Sequence, residues 1–144
     1  MKLKSYIAAF LSVALMGTAY AGNPQRAGSA GAGELLDELS AEAQREVLPI
    51  TFLGWRKDIE AILSASDIAV LCSDNEGIPL TLIQASQAGL PIVSTDVGSV
   101  SDIVIDGVTG YLTMVSSEGL IQGIETLLEY PELRHAFGKA GEDR

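Results

Sequence analysis

The sequence predicts an α/β domain built on a parallel sheet. Three observations carry that expectation. From Glu34 onward, short apolar runs alternate with amphipathic helical segments, the pattern of strands joined by crossover helices. The run IAVL at 68–71 is apolar throughout, as a buried strand is. The stretch from Leu71 to Gly98 reads as strand, polar loop, helix, tight turn, strand and glycine loop.

The chain begins with Lys2 and Lys4, then the apolar run YIAAFLSVALM, then Ala19-Tyr20-Ala21. A positive start, a short apolar core and an A-x-A site make residues 1–21 a signal-peptide-like helical segment. Two other readings stay open, a buried N-terminal helix and a membrane anchor. Residues 22–33 (GNPQRAGSAGAG) are small and polar and read as a linker. No apolar strand precedes AGSAGAG, which argues against a phosphate-binding glycine loop there. The remaining residues, 34–144, form the expected domain.

Within it, Leu35, Leu36, Leu39 and Ala43 share one helical face over 34–46. LPITFL at 48–53 is a short strand, and Gly54 and Trp55 turn the chain. A short helix over 58–64 leads to the strand at 68–71. Pro79 suits the first turn of a helix, because its missing N–H costs nothing there. Gly89 is a natural stop for that helix. Residues 101–105 are ambiguous, DGVTG is a turn, and 111–114 is an edge strand. Ser117 is a good N-cap for a helix to about Glu129. Pro131 opens the last helix.

Composition narrows the function. The chain has 144 residues, 47% of them hydrophobic, and a net charge of −10. Without Lys2 and Lys4 the charge is −10 − 2 = −12. That balance argues against nucleic acid, whose phosphates need a basic footprint. One cysteine, Cys72, and one histidine, His135, leave no Cys/His cluster for a zinc site. Cys72 follows a buried strand and reads as a structural thiol. His135 reads as a surface residue.

The segment EGIPLTLIQ offers two kinds of chemistry. Glu76 can accept hydrogen bonds from sugar hydroxyls. The helix start near Pro79 offers backbone N–H groups and a positive dipole end to an anion. Ile78, at the expected N-cap, has no side chain to satisfy those donors. Gly77 lets a ligand approach the backbone closely. Gln84 follows roughly 7–8 Å along the helix, at ~1.5 Å per residue. A solvated acidic loop and an ordinary surface glutamine remain the plainer alternative.

FLGWR, SDI-VL-S, EGIP, AGLPIVSTDVG and DGVTG, in this order and spacing, resemble the C-terminal lobe of GT-B-fold retaining glycosyltransferases of the group 1 type. The likeness runs from about Gly31 to the end. It implies a partial Rossmann-like parallel sheet and a nucleotide-diphosphate sugar as donor, with no other cofactor and no metal. By that resemblance Glu76 is the catalytic-site carboxylate on the donor sugar, the first glutamate of an E-x7-E motif. Gly77, Ile78, Pro79, Leu80 and Thr81 hold sugar and diphosphate, and Gly54 and Trp55 lie by the nucleobase. Gln84 replaces the second glutamate, which binds ribose. The amide keeps one acceptor but loses charge-assisted bonding. No protein nucleophile is implied, so the protein supplies position and charge stabilisation. Asp67 and Asp96 read as structural.

Other features of the family have no match. There is no counterpart of the acceptor lobe or of the Arg/Lys pair that neutralises the leaving diphosphate; Arg56 and Lys57 do not fit that motif. The chain is therefore expected to be a truncated donor-binding lobe, inactive alone, with an unknown acceptor. The two family strands between 50–53 and 68–71 also have no apolar counterpart. Those strands are expected to pair directly or leave an open edge that invites self-association. A separate N-terminal lobe is a further expected partner. The signal-like start implies an exported or periplasmic protein, whereas the family implies a cytoplasmic, membrane-associated one. The alternative function is an exported, non-enzymatic α/β module that binds a protein.

Overall fold

The computed structural model describes residues 18–23, 26–30, 36–47, 50–54 and 57–144. Six strands form one sheet: β1 (Thr18–Asn23), β2 (Arg26–Ala30), β3 (Ile50–Gly54), β4 (Ile68–Leu71), β5 (Ile92–Thr95) and β6 (Gly110–Thr113). Among the described residues six helices accompany them: α1 (Leu36–Arg45), α2 (Ile59–Ser64), α3 (Leu80–Gln87), α4 (Val100–Ile103), α5 (Ser117–Glu129) and α6 (Pro131–Glu142). The strand order is β3-β2-β1-β4-β5-β6. It is the order of a doubly wound sheet, whose direction of winding reverses between β1 and β4.

Every pairing is parallel except those of β1, which runs antiparallel to both β2 and β4. The other five strands therefore point one way and β1 points the other. At one end of the sheet the register aligns Gly54 with Ala30, Ala30 with Thr18, Thr18 with Leu71, Leu71 with Ser94, and Ser94 with Leu112. This row marks the carboxyl ends of the five parallel strands.

The β1–β2 pair corrects two expectations. Residues 18–21, read as the end of a signal helix, are strand, and so are residues 22–23 and 26–30 of the supposed linker. The helical part of the signal reading, residues 1–17, lies outside the described residues. The strands β3 and β4 consequently neither pair directly nor face an open gap, because β2 and β1 lie between them. The physical reason is backbone hydrogen bonding. All four residues of β4 are buried, and a buried N–H or C=O without a partner costs ~1–3 kcal/mol. Backbone ladders do not require apolar side chains, so TAYAGN and RAGSA pair although neither is an apolar run.

The core lies on both faces of the sheet. Ile68 and Val70 of β4, with Val93 of β5, pack against Leu120, Ile124 and Leu127 of α5 and Phe137 of α6. Ala69, Leu71 and Ile92 face Leu63 of α2, Leu82 and Ala85 of α3, and Val100 of α4. The alternation follows from the period of two along a strand. Tyr111 and Phe137 meet edge to face, with centroids 5.3 Å apart. Gly138 permits α6 to sit on the turn after α3, since a Cβ there would lie 2.0 Å from the Gly89 carbonyl oxygen.

Boundaries moved slightly from those expected. The cap of α5 is Ser116, whose Oγ accepts from the Gly119 N–H at 3.3 Å. The ambiguous stretch near 101–105 is the short α4. The edge strand β6 and the Pro131 helix are found as expected.

A proline at Tyr20 removes a ladder donor from a strand paired on both sides. Tyr20→Pro is expected to destabilise the protein by about 2–3 kcal/mol or more, read as a lower urea midpoint. An unchanged midpoint would remove β1 from the sheet centre.

Candidate functional site

The candidate site forms where β4 and β5 end. After β4, the chain runs through Cys72 and Ser73 to Glu76 and then enters α3 at Pro79. After β5, it runs through Asp96 to Gly98 and enters α4 at Val100. Both loops leave the carboxyl end of the sheet, beside the reversal between β1 and β4, where open α/β sheets hold ligands.

These two loops are locked together. Gly98 has φ +56°, and a Cβ there would lie 1.8 Å from the Glu76 carbonyl oxygen. Only glycine satisfies both the left-handed backbone and that approach. The Ser99 N–H donates to the Gly77 carbonyl at 3.3 Å. Thr95 Oγ1 donates to the Ser73 carbonyl at 2.6 Å, and Ser73 Oγ donates in turn to Glu76 Oε1. The Glu76 side chain is half-buried and stays open to solvent on the remaining side.

The helix start differs in one residue from the expectation. Pro79, not Ile78, is the N-cap, and it supplies no side-chain hydrogen bond. The first turn of α3 carries no acidic residue to neutralise its positive end. Pro79 is buried, which fixes the entry of the helix, while Ile78 and Leu80 are 69% and 68% exposed. Gln84 lies one turn beyond Leu80 and is also exposed, so the two share an open face. Thr81 is half-buried and Gly77 is exposed.

Gly54 lies at the same end of the sheet as Glu76 but three strands away from Leu71. At roughly 4.8 Å between strands that is about 14 Å. Trp55 lies outside the described residues. Asp96 stands exposed at the end of β5, and Asp67 is exposed ahead of β4. His135 is exposed on α6.

Several cations are committed elsewhere. Arg134 donates to the carbonyls of Leu127 at 2.6 Å and Leu128 at 3.3 Å, closing the end of α5. Arg144 donates to the Ile103 carbonyl at 3.1 Å. Lys139 pairs with Glu142 and Asp143. Among the described residues no group of three or more His, Cys, Asp or Glu is arranged to hold a metal. Among them, too, no helix is long and apolar enough to cross a membrane. A separate concavity of about 540 Å³ between α1 and β3, floored by Ile50 and Phe52, contains none of the site residues.

Sequence reasoning did not single out Ser73, Thr95 or Gly98. The available signal was their placement at the ends of β4 and β5, facing one another across adjacent parallel strands.

This geometry is that of a Rossmann-like lobe, and residues 23–144 match the family glycosyl transferases group 1. The chain belongs to that family. It is 36% identical over 85 residues to an Escherichia coli UDP-Gal:alpha-D-GlcNAc-diphosphoundecaprenol alpha-1,3-galactosyltransferase, covering 57% of this chain and 22% of that enzyme. The Anabaena HepE protein in complex with UDP-glucose superimposes with a TM-score of 0.74 at 26% identity, over 81% of this chain and 34% of that one. The C-terminal domain of a Francisella tularensis glycosyl transferase group 1 protein gives a TM-score of 0.69 at 26% identity, over 78% and 62%. The chain thus spans about a fifth to a quarter of the length of the curated relatives it matches first.

Cys72 is buried beneath this loop, and burial, reinforced by the nearby Asp74 charge, pushes its thiol up from 9.0 to about 12. Below pH 9 the thiol is protonated in both folded and unfolded chains, and its contribution to stability is complete. As pH rises from 9 toward 12 the unfolded chain ionises first, so stability falls, by at most ~1.4 kcal/mol per pH unit. Chemical denaturation across pH 8–11 is expected to show a shallower decline in Cys72→Ala than in the parent. Equal slopes would contradict the buried thiol.

Proposed function

We propose that this chain binds a nucleotide-diphosphate sugar and presents it for retaining glycosyl transfer. The observation that carries the reading is the placement of the Glu76 carboxylate beside the uncapped start of α3, at the carboxyl end of the sheet. A carboxylate accepts hydrogen bonds from sugar hydroxyls, and a helix start with no side-chain cap and no acidic first turn favours the diphosphate. Gly77, Ile78, Pro79, Leu80 and Thr81 form the path between those two features. Gly54 and Trp55 take the nucleobase side. Gln84, on the open face of α3, takes the ribose hydroxyls with an amide in place of a carboxylate. The solved neighbour in complex with UDP-glucose supports a uridine donor as the first to test.

In this reading Glu76 orients the sugar, and the dipole of α3 stabilises charge on the departing diphosphate. No side-chain nucleophile and no metal take part. Acceptor binding and strong neutralisation of the diphosphate are assigned to residues other than those described, such as a partner lobe. The described chain alone is then a donor-binding unit without turnover.

Calorimetry with UDP-, GDP- and ADP-sugars is expected to show binding of at least one, weakened about tenfold or more in Glu76→Ala. No binding by folded protein to any of them would sink the reading. Gln84→Glu is expected to tighten the preferred donor by about three- to tenfold through a charge-assisted bond to ribose. An unchanged or weaker affinity would remove position 84 from the ribose site.

A further inference from the structure

We infer that Ser73 is a positioning residue that, anchored by Thr95, holds the Glu76 carboxylate in its sugar-binding rotamer before the donor arrives. The inference rests on the donor-binding reading above for its consequence, but its geometry stands apart from it.

Glu76 sits in a loop with no helix or strand of its own to fix its side chain. A free glutamate has three rotatable bonds, and ordering such a side chain costs conformational entropy. The Ser73 hydroxyl donates to Oε1 of Glu76, which leaves Oε2 and the remaining lone pairs of Oε1 for a ligand. A hydroxyl-to-carboxylate bond is of the strong, charge-assisted kind. Ser73 is well placed to act as a fixed point because its own carbonyl accepts from Thr95 Oγ1 at 2.6 Å. Thr95 is 1% exposed in the last position of β5. The bond spans 22 residues of sequence, so it ties the β4 loop to the neighbouring strand of the sheet and not to the loop itself. Gly98 closes the same loop from the other side, against the Glu76 carbonyl. The carboxylate is therefore held at its backbone by Gly98 and at its side chain by Ser73, and Ser73 is held by the sheet. Ser73 itself need not touch the donor. Its effect is that the cost of ordering Glu76 is met in the free protein, which raises donor affinity without a new contact.

Two measurements on the full chain separate this role from a merely structural one. First, NMR three-bond couplings across the Glu76 side chain, taken without ligand, are expected to report one dominant rotamer in the parent and averaging in Ser73→Ala. Ser73→Thr, which keeps the hydroxyl, is expected to restore the single rotamer, and Thr95→Val to loosen it. The melting temperature of Ser73→Ala is expected to stay within a few degrees of the parent. Second, calorimetry with UDP-glucose and with UDP is expected to show about a three- to tenfold loss for UDP-glucose in Ser73→Ala and less than a twofold change for UDP. Combined with Glu76→Ala, the Ser73 substitution is expected to add nothing further for UDP-glucose. A single Glu76 rotamer retained in Ser73→Ala would overturn the inference. So would a loss of UDP-glucose affinity in Glu76→Ala that Ser73→Ala does not share. If the folded parent binds neither UDP-glucose nor UDP, a uridine donor is ruled out, and the couplings alone decide whether Ser73 positions Glu76.

Discussion

The constraint on which the structure depends is that β4 is buried on both faces and paired on both edges. Ile68, Ala69 and Val70 are 0% exposed and Leu71 is 2% exposed. Its alternate side chains feed the two halves of the core, with α5 and α6 on one side and α2, α3 and α4 on the other. Such a strand has no solvent to satisfy its backbone, so it needs a neighbour on each side. One is β5, the expected parallel partner. The other is β1, a short strand, TAYAGN, that is not an apolar run.

That second neighbour explains how the sheet stays continuous from β3 to β6. The places that the family resemblance assigns to two strands between β3 and β4 are filled by the β1–β2 pair. β2 keeps the parallel direction and β1 reverses it. The reversal leaves the carboxyl end of the sheet in register from Gly54 to Leu112, so the strand ends that carry the site are still aligned. Edges remain at β3 and β6.

Once β4 and β5 are fixed side by side, their terminal loops must meet. Gly98 meets Glu76 through backbone contact, and Thr95 meets Ser73 through a hydrogen bond. Glu76 is thereby placed by the sheet and not by its loop. The start of α3 is fixed by the burial of Pro79 and by the packing of Leu82 and Ala85. Rigid strands and a helix anchored by its inner face thus present an open edge that carries Glu76, Gln84 and the exposed Ile78 and Leu80, an arrangement that combines precision with access. The committed positions of Arg134, Arg144 and Lys139 show that these cations serve helix ends and surface pairs.

Legible in the sequence alone were the α/β class, the elements from Ile50 to Glu142 other than α4 to within a few residues, and the Leu71–Gly98 block that contains Glu76. Those features are local: apolar runs, Pro79, Gly89 and Pro131 act within a turn or two of where they stand. Only the tertiary fold makes residues 18–23 and 26–30 strands, because their pairing answers a need of β4 some 50 residues away and not a preference of their own. It also decided the roles of Ser73, Thr95 and Gly98. Each is ordinary in sequence and makes its contact only when two parallel strands bring their ends together.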